Sequence, residues 1–380
     1  MIYFDNGATS FPKPAGMAEV MEECITQYCG NPGRSGHKMS LRTGEEVYRA
    51  RRKVAELFNI QDAQRVVFTK NTTEALNLGI HGFLKKGDHV VTTSMEHNSV
   101  LRPLKAMERH GVQHTIVMAD KEGCVSPDMI EKATRSNTAM IIMTAASNIC
   151  GSKMPLKEVG DMAARSGRIF FVDAAQGAGV MDLDVRKLNI DMMAFPGHKG
   201  LLGPMGTGAL YVRPGIELAP IMEGGTGTES RSRSQPCVFP EGYEAGTINA
   251  PAIIGLGYSA GFVYKVGPEV IGRYEEDLIC RLEEKIRNMK GVSVYGPAPG
   301  KKTGISLINI NGISAEEVTT MLSETYGIAV RGGYHCAGLA HKTIGTWDKG
   351  AVRISAGLYN TKKEIDFLCD ALWSIKKSLC

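Results

Sequence analysis

Between residues 65 and 213 the chain alternates short β-branched apolar runs with stretches of helical spacing, and no other feature limits its possible folds so tightly. Arg65–Thr69, His89–Thr93, Ala139–Thr144, Ile169–Asp173, Met192–Phe195 and Ala209–Val212 read as strands. Thr73–Phe83, Ser99–His110, Pro155–Ser166 and, with a fainter pattern, Val185–Asn189 read as helices. Strands that are apolar throughout rather than at alternate positions are covered on both faces, and helices between them make the sheet largely parallel. The expectation is an α/β architecture whose ligands sit beyond the carboxyl ends of the strands.

The rhythm stops after residue 213. Residues 214–250 contain EGGTGTESRSRSQP, too long for an ordinary connection and read as a functional loop or an interface arm. A helical pattern then spans Ile253–Asn288, closed by GPAPG at 296–300. A smaller α/β unit follows, with strands at Ile305–Ile310, Ile328–Arg331 and Ala351–Ser355 and a capped helix at Ser314–Tyr326. The last helix starts at Lys362, with Thr361 as N-cap and Glu364 as its capping-box partner. The 380 residues are enough for two or three domains. The expected division is a large domain over 16–258 and a small one formed by 1–15 with 259–380.

Composition narrows the function classes. A formal net charge of +4 with both signs mixed along the chain leaves no basic stripe for nucleic acid. The longest apolar stretches, Ala139–Ala146 and Ile169–Val172, are far too short to span a membrane. The opening MIYFDNGATS has neither a basic nor an apolar signal region, and points to the cytoplasm. Nine cysteines without a CxxC pair or zinc spacing suit reduced, mostly inert thiols and no metal site.

Three segments carry chemistry. Asp173 ends an apolar strand in FFVDAAQGAG, where a carboxylate faces the ligand crevice, and Gln176 follows one turn later. A helix N-cap explains the same Asp. Lys199 lies in FPGHKGLLGP, a glycine-rich turn that can desolvate a lysine and lower its pKa for Schiff-base or proton-shuttle work. A solvated turn lysine is the plain alternative. In NTTEALN, Thr72 and Thr73 sit at a helix start, a ready anion seat, although capping also accounts for them.

In order and spacing these segments resemble the class V, fold-type I pyridoxal-phosphate (PLP) enzymes, and among them the cysteine desulfurases. The resemblance runs from YFDNGATSFPKP through NPGRSGH (31–37), TKNTTEALN, SMEHNS (94–99), TAASNICG (144–151), VDAAQ, GHKG, EAGTIN (244–249) and RGGYHC (331–336) to VRISAGLYNT (352–361). It implies a large domain with a mainly parallel sheet, a smaller C-terminal α/β domain, and PLP as cofactor. It implies that Lys199 carries PLP, Asp173 pairs with the ring nitrogen, Gln176 with the phenolic oxygen, and His97 stacks on the ring and takes part in proton transfer. The phosphate would be held by Thr72, Thr73 and His198, and by Thr247 from the other subunit of a homodimer. Asn148, Arg353 and Arg331 would position the substrate, L-cysteine or L-selenocysteine.

Cys336 falls where the family places its persulfide-forming thiol, with Arg331 and His335 expected to favour the thiolate. Cys24, Cys29, Cys124, Cys150, Cys237, Cys280, Cys369 and Cys380 are read as inert. The implied reaction converts L-cysteine to L-alanine and leaves a persulfide on Cys336 for an acceptor protein, as in iron–sulfur cluster assembly. Cys336 and Arg353 are only seventeen positions apart, a spacing similar to the Suf-type, group II enzymes and selenocysteine lyases. It leads to the expectation of a shielded thiol that turns over slowly without an acceptor. Two departures stand out. Pro196 occupies a position where the family commonly has a phosphate-binding Ser or Thr, and AGLAHKTIGTWDKG after Cys336, with Gly338 and His341, is atypical. Rival readings are selenocysteine lyase, a class V aminotransferase that needs no Cys336, and a non-catalytic PLP-binding scaffold. The glycines of LLGPMGTGALYV do not have the spacing of a nicotinamide-binding fingerprint.

Overall fold

The computed structural model describes residues 1–33 and 35–378; Arg34 of NPGRSGH and Cys380 lie outside the described residues. Strand β1 (Ile2–Tyr3) and helices α1 (Met17–Glu23) and α2 (Lys38–Leu57) lead into the alternating region. That region comprises β2 (Val66–Thr69), α3 (Thr72–Phe83), β3 (His89–Thr93), α4 (Asn98–Met107), β4 (Gln113–Val117), α5 (Pro127–Ala133), β5 (Thr138–Thr144), α6 (Leu156–Arg165), β6 (Ile169–Asp173), β7 (Met192–Pro196) and β8 (Gly208–Val212). Helices α7 (Ala250–Val266) and α8 (Pro268–Ile286) precede β9 (Val292–Tyr295), β10 (Ile305–Ile310) and α9 (Ala315–Tyr326). The chain closes with β11 (Ile328–Ala329), β12 (Arg331–Gly333), α10 (Gly338–Ile344), β13 (Ala351–Ser355) and α11 (Lys362–Lys377).

Strands β2 to β8 form one sheet in the order β2-β8-β7-β6-β5-β3-β4, in which only β8 runs against its neighbours. The apolar runs are buried on both faces, as their composition requires. Along β6, Phe170 and Val172 enter one core while Phe171 enters the other, the two-residue period of a strand. Each such side chain contributes about 1.5–3 kcal/mol relative to exposure. Because six strands point the same way, their carboxyl ends share one edge. The chain leaving β2, β3, β5, β6 and β7 delivers Thr72, His97, Asn148, Asp173 and Lys199 there.

The last third forms a second, antiparallel sheet, β12-β13-β10-β9. Its core gathers Leu278, Leu282, Ile308, Val352 and Leu372, and receives Phe4 from the N-terminus. Strand β1 reaches this region by pairing in parallel with β11. Capping boxes are complete at Ser314/Glu317 and at Thr361/Glu364.

Beyond helices α1, α2, α5 and α10, which the sequence reading did not assign, the structure departs from the expectations in the following places. Gln113–Val117 is an additional edge strand whose polar, half-exposed residues hide the apolar signal. Residues 185–189 make a single turn, not a helix: the Asp184 carboxylate accepts the N–H groups of Arg186 and Lys187 at 2.9 and 3.0 Å, and Asn189 closes the turn at φ 50°. The pattern over 253–288 is two helices, broken where Gly267 adopts φ 94° before Pro268, which cannot donate into a continuing helix. Strand β9 lies between α8 and GPAPG. Finally, 328–331 divides at Val330, since β11 pairs with β1 and β12 with β13.

Candidate active site

Thr72, Thr73, His97, Asn148, Asp173, Gln176, His198 and Lys199, all singled out from the sequence, line one cavity at the carboxyl edge of the large sheet. A wider groove between α8 and α11, bordered by Lys285, Met289, Cys369 and Trp373, contains none of them. Chemistry rather than size identifies the smaller cavity as the site.

One end of the cavity suits an anion. Asn71 caps α3 by accepting the Glu74 N–H at 3.0 Å. Thr72 and Thr73 are the next residues, whose N–H groups have no acceptor within a helix. The His198 ring is held neutral, down to about 4, by burial and by Lys199 beside it. Its buried Nδ1 has no protein partner. A neutral imidazole nitrogen and free helix N–H groups together form a donor set for phosphate.

The cavity also holds two groups of opposite charge, Asp173 and Lys199. Asp173 is 1% exposed, and its Oδ1 accepts the Ala175 N–H at 2.9 Å. Burial pushes its carboxyl up to about 6, while that bond and Lys199 pull it back, so it is ionised at neutral pH. Lys199 keeps some accessible surface because it borders the cavity. Desolvation, with Arg353 second, pushes its ammonium down to about 8 against the pull of Asp173. His97 caps α4: its Nδ1 accepts the Ser99 N–H at 3.1 Å, which leaves the ring proton on Nε2. Burial and then Lys199 push its pKa down to about 4.

The N-terminal segment completes the site. Gln176 Nε2 donates to the Gly7 carbonyl at 2.9 Å. Lys13 Nζ and the Ser10 N–H donate to the His198 carbonyl at 3.0 and 2.9 Å. Arg353, 1% exposed, donates to the Asn148 carbonyl at 3.0 Å and to Asp5 at 2.8 Å, yet its buried Nε has no partner. A side chain at position 7 would begin 3.1 Å from the Arg353 guanidinium carbon, so anything larger than glycine there would press on the guanidinium and shift it by a few tenths of an ångström. Arg331 is close enough to depress the pKa of Lys199 and His97. Thr247 is exposed, accepts from Asn31 at 3.5 Å and does not line this cavity.

Cys336 is exposed, on the short connection between β12 and α10. Its carbonyl accepts the Asn98 N–H at 2.9 Å, and the preceding His335 carbonyl accepts from Asn148 Nδ2 at 2.7 Å. The thiol-bearing loop is therefore tied to the cavity rim. Two expectations are corrected here. The thiol is not shielded within the chain, and His335 gives it no positive charge, because burial and Arg353 push that imidazole down to about 3. Among the other cysteines, Cys24, Cys150 and Cys369 are buried, Cys124 and Cys280 are partly so, and Cys29 and Cys237 are exposed.

Asp5, Lys13, Glu96 and Asn98 were not selected from the sequence, although all four stand inside motifs read there. Glu96, fully buried, accepts from Thr93 Oγ1 at 2.6 Å and the Thr144 N–H at 3.2 Å, while its Oε2 has no partner. Burial pushes its carboxyl up to about 8, and the nearby Asp173 adds to the rise. Among the described residues there is no metal-binding cluster, and no helix is long and apolar enough to cross a membrane.

Residues 2–368 match the family described as Aminotransferase class-V. A probable cysteine desulfurase of Methanothermobacter thermautotrophicus is 37% identical, over 98% of this chain and 94% of that protein. A probable cysteine desulfurase of Pyrococcus abyssi is 34% identical, over 100% and 95%. Among solved structures, the apo cysteine desulfurase of Thermococcus onnurineus superimposes with a TM-score of 0.94 at 34% identity, covering 99% of this chain and 95% of that one. The Escherichia coli cysteine desulfurase CsdA, in an S-sulfonic acid form, gives 0.88 at 27% identity, covering 100% and 95%.

Proposed function

The chain belongs to the class-V aminotransferase family and to its cysteine desulfurases, and from that membership we propose that it is a PLP-dependent enzyme that moves the sulfur of L-cysteine onto Cys336 and releases L-alanine. The observation that carries this reading is the tether. An exposed thiol loop is bonded through Asn98 and Asn148 to the rim of a cavity holding Lys199, Asp173 and an anion seat.

The residues present fit PLP. The start of α3 and the orphaned His198 Nδ1 suit its phosphate, the buried carboxylate of Asp173 suits a protonated ring nitrogen, and Lys199 suits covalent attachment. When bound, PLP supplies an electron sink that makes the substrate's Cβ–S bond breakable. The protein's own groups do the rest. With its ammonium at about 8, Lys199 has an appreciable free-amine fraction near neutral pH and can take and return a proton at the substrate Cα. Arg353, fixed by Asp5 and the Asn148 carbonyl, keeps its Nε edge open for the substrate carboxylate. Cys336 receives the sulfur atom, so L-cysteine and a thiol become L-alanine and a persulfide, with no outside oxidant.

The finer assignments are part of the same reading. A homodimer in which exposed Thr247 completes the partner's phosphate site is supported by the irregular segment around it. A Suf-type enzyme that hands sulfur to an acceptor protein in a reducing cytoplasm is supported by the short connection carrying Cys336. We place the boundary between the two domains at the Gly267 break, since α7 runs unbroken through residue 258. The test is the yellow PLP-loaded protein assayed for alanine and sulfide from L-cysteine, beside Cys336→Ser. Loss of turnover with an unchanged cofactor spectrum supports the assignment. Unchanged turnover transfers it to a lyase or aminotransferase that does not use this thiol.

A further inference from the structure

The segment AGLAHKTIGTW has a second buried histidine, His341, that the reaction does not use. It lies directly behind the Cys336 loop. His335 and Cys336 are consecutive non-glycine residues with φ of 51° and 57°. Each costs about 1–2 kcal/mol in that left-handed conformation, so the loop must be held there by its surroundings.

Beside the Asn98 and Asn148 bonds to its carbonyls, a side-chain hydrogen-bond chain of fixed direction runs from this loop into α10. The Arg331 carbonyl can only accept, so His335 Nε2 donates to it at 3.1 Å. A neutral imidazole carries one ring proton, hence His335 Nδ1 accepts, and His341 Nε2 donates to it at 3.2 Å. By the same logic His341 Nδ1 accepts, and Thr346 Oγ1 donates to it at 2.7 Å. His335, His341 and Thr346 are all buried, at 3%, 0% and 2% exposure. Burial, aided at His335 by Arg353, keeps both rings neutral.

The rest of the segment supports the chain. Thr346 is placed by its own N–H, which donates to the His341 carbonyl at 2.8 Å after Gly345 ends α10 at φ 83°. Tyr334 lays its ring edge-on to His341 and Trp347, with centroids 5.5 and 5.9 Å away.

We infer that His341 and Thr346 are positioning residues for the reaction: through the His335 ring they hold the main chain of Cys336 in the conformation that presents its thiol to the cavity. The inference rests on Cys336 as the sulfur-receiving thiol, and neither His341 nor Thr346 lines the cavity.

The experiment uses the PLP-loaded enzyme carrying His341→Leu, His341→Gln or Thr346→Val. It reads kcat and KM for L-cysteine, cofactor absorbance, and the rate at which iodoacetamide alkylates Cys336 without substrate, followed on the Cys336 peptide by mass. Gln keeps an N–H at the place of His341 Nε2, whereas Leu has none. The expected result for H341L is a kcat about tenfold or more lower, the cost of an ångström-scale misplacement. KM and cofactor absorbance stay unchanged and the alkylation rate shifts. H341Q recovers most of the lost rate, and T346V lies between. Wild-type kcat and alkylation in H341L, a loss that Gln does not recover, or an effect on KM alone overturns the inference. Should H341L fail to fold, T346V decides, since an unaltered kcat and alkylation rate there also overturns it. Full activity in Cys336→Ser would instead remove the reading on which the inference stands, so the two failures are distinguishable.

Discussion

Glu283 and Arg353 are both buried charges, and the protein treats them in opposite ways. Glu283 is saturated: Oε1 accepts from Lys302 Nζ at 2.6 Å and Ser306 Oγ at 2.7 Å, and Oε2 pairs with Arg287 at 2.8 Å. Arg353 has Asp5 and a carbonyl but leaves its buried Nε without a partner, and His198 and Glu96 each leave an orphaned atom around the same cavity. An unsatisfied buried polar group costs about 1–3 kcal/mol. The Glu283 cluster avoids that cost by pairing, and Glu96 reduces it by staying protonated. Arg353 and His198 keep donors free where a carboxylate and a phosphate would bind. The saturated Glu283 cluster is structural, whereas the free donors of Arg353 and His198 stand where the site's ligands would bind.

Substitutions at the two clusters should therefore separate activity from stability. The largest expected effect is Lys199→Ala, which removes the proton-moving amine and lowers alanine formation by at least about 10²–10⁴-fold. With both proteins free of PLP, its melting temperature should be unchanged or higher, because a desolvated ammonium is lost. A clear drop in melting temperature would place Lys199 with the structural network instead.

Lys302→Met is the converse. It leaves Glu283 buried with an incomplete partner set, at a cost of about 3–5 kcal/mol in denaturant unfolding, while turnover per folded molecule stays at the wild-type level. Full stability in this variant would break the contrast.

The smallest effect is a pH dependence. Burial raises the Glu96 carboxyl to about 8 in the folded chain, against an ordinary value of 4.5. The folded state therefore binds more protons between those values, and stability falls as pH rises through that window. Glu96→Gln should flatten the fall between pH 5.5 and 8 in thermal melts. A residual slope of the same sign remains from Glu275, also raised to about 8 by burial. An unchanged slope would mean that Glu96 is ionised in the folded protein.

Much of this molecule was legible along the chain because its signals are local. Apolar runs, helical spacing and capping residues depend on near neighbours, and they located β3, β6, β10, β13 and the caps at Ser314 and Thr361. They failed where a pattern has two readings. Ile253–Asn288 keeps its apolar spacing across the Gly267 break, and polar Gln113–Val117 is a strand only because β3 offers it an edge.

The site divides in the same way. Residues at the ends of strands and starts of helices, Asp173, Lys199, Thr72 and Thr73, could be chosen from the sequence, since parallel strands bring their carboxyl ends to one edge. Partners distant in sequence could not. Asp5 meets Arg353 across 348 positions and Asn148 meets the His335 carbonyl across 187. The sign of His335 also reversed: beside Cys336 it reads as a helpful cation, but burial against Arg353 makes it neutral. The sequence determined which residue types stand at the ends of which elements, because backbone preference and apolar periodicity are short-range. Only the tertiary structure decided which of them are charged, saturated or left waiting for a partner, because desolvation and hydrogen-bond supply depend on what the whole fold packs around each group.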